Sequence, residues 1–145
     1  MNQNQYQYAK DNRTDQQWRK DYELGQKAQR LIIERLKNYT EVKEFKPERW
    51  MVIEKYRPDC VALIKGLWQN LEIKYTDKDL KMVHWKKNQW EKAKELNIKL
   101  LQVSGKKFCL ISPWDKCFEK ELSYCNKPAM VFQPTWNYTF SALFL

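Results

Sequence analysis

Across residues 14–38 the apolar positions fall at helical spacing. Trp18, Tyr22, Leu24, Ala28, Leu31, Ile32 and Leu36 recur every three or four residues, with charges between them. That pattern predicts a long amphipathic helix, and Thr14 or Asp15 supplies a cap for its start. Residues 39–48 are polar and end in Lys46-Pro47-Glu48, a loop signature. The period then shortens. Residues 50–54, 58–64 and 67–75 read as three strands. In the third, Leu71, Ile73 and Tyr75 point one way while Asn70, Glu72 and Lys74 point the other. A polar link from Thr76 or Asp77 leads to a second predicted helix over 80–96, with Val83, Trp90, Ala93 and Leu96 as its apolar positions. Residues 98–103 and 108–111 read as two further strands around Ser104-Gly105. Helix, three strands, helix, two strands predicts an α/β fold with a mixed central sheet flanked by helices. Three segments follow: a polar arm over 1–13, a core domain over 14–112, and an aromatic extension over 113–145 packed on that domain. The extension is punctuated by Pro113, Pro128 and Pro134, with strands expected near 129–133 and 138–145.

The turn at Lys65-Gly66 makes the second and third strands informative. If these two residues form a hairpin loop, Ile64 pairs with Leu67 and Asp59 falls opposite Glu72. Directly opposed side chains share a face, with Cβ atoms about 4.5–5.5 Å apart. Two carboxylates placed so closely repel each other and ask for a cation between them. Lys74, two residues beyond Glu72, lies on the same face. A hard divalent ion on oxygen ligands with an ammonium beside it is equipment for cutting phosphodiesters.

Composition narrows the classes. The chain has 145 residues, enough for one domain with a core, and its 43% hydrophobic content argues against disorder. No apolar run approaches a membrane span, and the N-terminal residues lack a signal-peptide core, so a cytoplasmic protein is expected. The net charge of +9 favours a polyanionic partner, of which nucleic acid is the commonest. Cys60, Cys109, Cys117 and Cys125 show no C-x-x-C spacing, and His84 is the one histidine, so zinc is disfavoured and buried free thiols are expected. His84 itself is expected on a helix surface without a catalytic role. Lys86, Lys87, Lys106 and Lys107 are candidates for phosphate contacts, although for any single one a solvated surface lysine is the favoured reading.

Pro58-Asp59, Glu72-Ile73-Lys74 and the order of elements around them resemble the PD-(D/E)XK nuclease superfamily over residues 14–111. The resemblance implies a restriction-endonuclease-like αβββαβ core. It implies magnesium held by Asp59, Glu72 and the carbonyl of Ile73, with manganese able to substitute. It further implies that Lys74 positions or activates the attacking water. Gln89, in Asn88-Gln89-Trp90, matches a helix glutamine of resolvase-like and exonuclease-like members that steadies the site or touches the DNA backbone; an ordinary exposed helix glutamine is the other reading. One departure stands out. Where many members carry a first-helix glutamate about four residues after a glycine, Gly25 is followed by Gln29. Either that carboxylate is lacking or Glu23 replaces it.

An E-x-K triplet alone means little, since Glu41-Val42-Lys43 and Glu44-Phe45-Lys46 also occur, in a polar stretch with no upstream Asp on a paired strand. The expected function is therefore a magnesium-dependent deoxyribonuclease, an endonuclease in preference to an exonuclease. On the resemblance, it is a homodimer. A catalytically inactive nucleic-acid-binding module of the same fold is the alternative, and a partner-binding protein with an aromatic interface is a third reading.

Overall fold

The structure, a computed structural model, describes residues 14–44, 58–123 and 126–144. The expected arm over 1–13, the expected strand over 50–54 and Cys125 lie outside the described residues. Helix α1 spans Asp15–Lys37. The Thr14 side chain caps it, accepting from the Gln17 N–H at 3.1 Å. Ile32, Ile33 and Leu36 bury its C-terminal half.

Four strands follow: β1 (Val42–Glu44), β2 (Cys60–Ile64), β3 (Leu67–Thr76) and β4 (Val83–Lys86). Helix α2 (Lys87–Leu96) precedes β5 (Ile98–Ser104), β6 (Lys107–Ile111), β7 (Cys117–Glu121) and β8 (Pro128–Phe132). A 3-10 helix, Phe140–Phe144, closes the described chain. Five strands form a mixed sheet in the order β1-β2-β3-β5-β6, with β3 and β5 parallel and the other neighbours antiparallel. Strands β4, β8 and β7 form a second, antiparallel sheet. The fold is thus α/β, a mixed central sheet flanked by helices.

The β2–β3 hairpin follows the sequence expectation. Lys65 and Gly66 both have positive φ, 51° and 79°, as a two-residue turn matched to strand twist requires. Ile64 pairs with Leu67 and Cys60 with Leu71. Alternation then sorts the side chains. Cys60, Ala62, Ile64, Leu71 and Ile73 join the α1 residues Ile32, Ile33 and Leu36 in one core cluster. Ile98 and Leu100 turn to the other face, where Val83, Trp85, Ala93, Met130 and Phe132 complete a second cluster.

Three expectations are corrected. The polar stretch 39–48 contains β1, an edge strand paired with β2 through Lys43 and Val61. The predicted helix over 80–96 is a strand and then a shorter helix. Val83 and Trp85 are both fully buried at a spacing of two, paired with Phe132 and Met130 of β8. His84 is accordingly on a strand. The expected strand over 138–145 is the 3-10 helix, whose Phe140 and Leu143 share a face three residues apart and enter the first cluster.

Candidate active site

Strand β2 accompanies β3 only from Leu67 to Leu71, whereas β3 continues beside β5 to Thr76. The two strands therefore fork just past Leu71. Pro58 has no N–H to extend the β2 ladder. Asp59 occupies the fork. Its backbone N–H donates to the Leu71 carbonyl at 2.7 Å, and its Oδ2 accepts from the Ile73 N–H at 2.7 Å. The carboxylate thus takes the donor that another rung of the ladder would have used. The Ile73 carbonyl lies on this same edge, because a strand residue directs its N–H and C=O to one side.

Glu72 and Lys74, next along β3, are half-buried and lie on the face opposite Leu71 and Ile73. The register places Glu72 beside Leu100 and Lys74 beside Gln102 of β5. Lys74 Nζ donates to Gln89 Oε1 at 3.3 Å, so the first turn of α2 holds the lysine head. Burial, the largest influence, pushes the Lys74 ammonium below its usual proton affinity. Glu72 opposes that shift, the nearby Lys86 charge adds to it, and Asp59 opposes it. Asp59, Glu72, Lys74 and Gln89, predicted from sequence, are thus brought together.

A cleft of about 430 Å³ opens beside Lys74, lined by Gln29, Gln102, His84, Thr76 and Tyr22 among others. Gln29 of α1 reaches this cleft. Glu23 is exposed and is not among the lining residues. His84 also lines it; burial first, then the Lys120 charge, lowers its proton affinity and favours neutral imidazole. Gln102 was not singled out from sequence. It is 5% exposed, and its Nε2 donates to the Val103 carbonyl at 3.1 Å and the Lys74 carbonyl at 3.4 Å, which ties the lysine's strand position to β5. The available signal was an amide amid the apolar residues Leu100, Leu101 and Val103.

The four candidate phosphate lysines differ. Lys86 is half-buried near Lys74, and Lys106 is exposed in the β5–β6 turn, which Gly105 ties to the Thr76 carbonyl at 2.8 Å. Lys87 pairs with Glu119 at 2.5 Å. Lys107 is 8% exposed, pairs with Asp79 at 2.6 Å and lies 4.5 Å from the Trp136 ring centre. Its ammonium is engaged within the fold instead of being presented outward. The triplet at Glu41-Val42-Lys43 straddles the start of β1, and Glu44 is taken by Lys37 at 2.8 Å and Arg30 at 3.5 Å. A larger hollow of about 730 Å³ lies at the hairpin end near Lys65, Gln69 and Lys99. Its one carboxylate, Asp115, accepts from the Ser112 N–H, so size does not mark the chemistry.

Among the described residues no three His, Cys, Asp or Glu side chains gather as a protein-only metal cage. The donors present are two carboxylates and a backbone carbonyl, all hard oxygens. That set fits magnesium, which is commonly held by one or two carboxylates and completes its shell with water and substrate phosphate. No helix of the described residues is long and apolar enough to cross a membrane.

No protein-family model matches the chain, and no curated protein does. Among solved structures the chain is similar to Hjc, a Holliday junction resolvase from Archaeoglobus fulgidus, at 10% identity and a TM-score of 0.46, over 81% of this chain and 88% of that one.

Proposed function

We propose that the chain is a metal-dependent nuclease that hydrolyses DNA phosphodiester bonds. The observation that carries this reading is the fork itself, where Asp59 Oδ2 accepts from the Ile73 N–H between Glu72 and Lys74, and Gln89 accepts from the Lys74 ammonium. Asp59, Glu72 and the Ile73 carbonyl are the groups that would hold magnesium, or manganese in its place. Such an ion supplies Lewis-acid stabilisation of charge on the phosphate. Lys74 Nζ orients the attacking water and offsets charge that develops as the phosphate is attacked. Gln89 restrains that nitrogen. Lys86 and Lys106 offer phosphate contacts at the same end of the sheet, and cleavage within a strand is the expected mode. Glu23 is not part of the proposed ligand set, because it is exposed and does not line the cleft.

A second reading, a catalytically inactive nucleic-acid-binding module, is favoured by one observation: the α1 residues that line the cleft, Tyr22, Gly25, Gln26 and Gln29, include no carboxylate. Cleavage separates the two. Labelled duplex, single-stranded and four-way-junction DNA would be incubated with the protein in magnesium, manganese or EDTA, beside Glu72→Ala and Lys74→Ala. Metal-dependent cutting that vanishes in both variants, with their binding retained, is expected. Binding without cutting in any metal supports the inactive module, and full activity in either variant ends the nuclease account.

A further inference from the structure

The face of β3 that bears Glu72 and Lys74 continues back toward the hairpin through Asn70 to Trp68. Trp68 is 43% exposed, whereas Trp85 is fully buried. Lys43 of β1 reaches over it, with its ammonium 4.4 Å from the ring centre. Lys43 pairs with Val61, and Val61 with Asn70, so all three lie on the Trp68 face. Glu44 turns to the other face, where Lys37 and Arg30 take it. A cation and a partly exposed aromatic ring therefore stand at one end of this face of β3, with Asn70, which donates to the Leu96 carbonyl at 3.2 Å, and then Glu72 and Lys74 farther along it.

The spacing matches a nucleic acid strand. At about 3.3 Å per residue, Trp68 lies about 13 Å from Glu72. A strand rising about 3.4 Å per stacked nucleotide, or more when extended, covers that interval in a few nucleotides. A base inside a duplex is stacked on both sides and has no face to offer an indole, whereas an unpaired base does. We propose that Trp68, steadied by Lys43, is a stacking platform for an unpaired base of the strand being cut, so that the preferred substrate carries single-stranded DNA next to the scissile phosphate. This deepens the nuclease reading and, for the cut itself, rests on it.

The test uses duplexes with a single-stranded tail, in which 2-aminopurine replaces the base at successive tail positions. Binding is followed by fluorescence with Glu72→Gln protein, which leaves the DNA uncut. One or two tail positions should be quenched on binding, and adding Trp68→Ala should abolish that quench and weaken tailed-DNA binding about ten-fold. Trp68→Phe should retain part of both effects and Lys43→Ala should weaken binding a few-fold, which separates stacking from loss of the hairpin. In the cutting protein, Trp68→Ala should raise KM on tailed DNA, leave kcat nearly unchanged and spare blunt duplex. Unchanged quenching and affinity in well-folded Trp68→Ala and Trp68→Phe would overturn the platform. A Trp68-dependent quench without cutting in any metal would leave the platform standing and retire the nuclease reading.

Discussion

Lys74 is held from two directions. Its backbone carbonyl accepts from Gln102, and its ammonium donates to Gln89. The second contact is the one sequence could suggest but not establish, because a helix glutamine is usually solvated. If Gln89 restrains the lysine head, Gln89→Ala should lower kcat by about ten- to a hundred-fold, the range of a hydrogen bond to a charged group. KM should move little and Gln89→Glu should recover part of the rate. Steady-state kinetics on the preferred DNA would check this, and an unchanged kcat would reduce Gln89 to a surface residue. The cysteines give a prediction independent of function. Burial pushes the Cys60 and Cys109 thiols up to about 12 from about 9. An acid held protonated in the fold contributes stability fully below its unfolded value and loses it as pH rises toward the folded one. Urea melts should therefore weaken above pH 9, and less so in Cys109→Ala. Peptide mapping after maleimide treatment should find Cys117 modified well before Cys60 and Cys109, which react on unfolding.

Elements were legible where their determinants are local. The β2–β3 register was readable because a two-residue loop at Lys65-Gly66 allows one pairing, and that pairing, which runs to Cys60 and Leu71, delivers Asp59 to the β3 edge, where its Oδ2 accepts from the Ile73 N–H. The capped start of α1 was readable for the same reason. Strands β1 and β4 were not, since each is fixed by a partner outside its own neighbourhood, β1 by β2 with Glu44 opposite Cys60 and β4 by β8. Trp85 shows how this happens. Its spacing to Ala93 suits a helix, yet its burial comes from β4 pairing with β8, more than forty residues on. The hairpin offers a direct check. Gly66 has φ +79°, and a Cβ there meets nothing within 4 Å, so strain would come from the backbone alone. Gly66→Ala should destabilise by about 1 kcal/mol, seen as a lower urea midpoint with unchanged slope. Gly25, helical and equally unobstructed, should instead gain stability when changed to Ala.

At the scale of the whole molecule, the site is a meeting of layers. The fork belongs to the central sheet, Gln89 comes from α2 on one face, and Gln29, from α1, lines the cleft beside Lys74. Sequence placed Gln29 and Glu23 on one helix but could not say which turned inward, because that depends on how α1 packs through Ile32, Ile33 and Leu36. The stripe that buries those residues also presents Gln29 to the cleft and leaves Glu23 exposed. Gln29→Glu would therefore add an anionic oxygen ligand within the cleft, where the native amide is neutral. The variant should bind magnesium several-fold more tightly by calorimetry in the absence of DNA, and its half-maximal magnesium concentration for cleavage should fall in parallel. Glu23→Gln, which changes a carboxylate outside the cleft, should leave both quantities where they are. If Gln29→Glu left magnesium affinity unchanged while Glu23→Gln weakened it, the metal would be held from the outer flank of α1, and the ligand set centred on Asp59 and Glu72 would have to be redrawn around that helix.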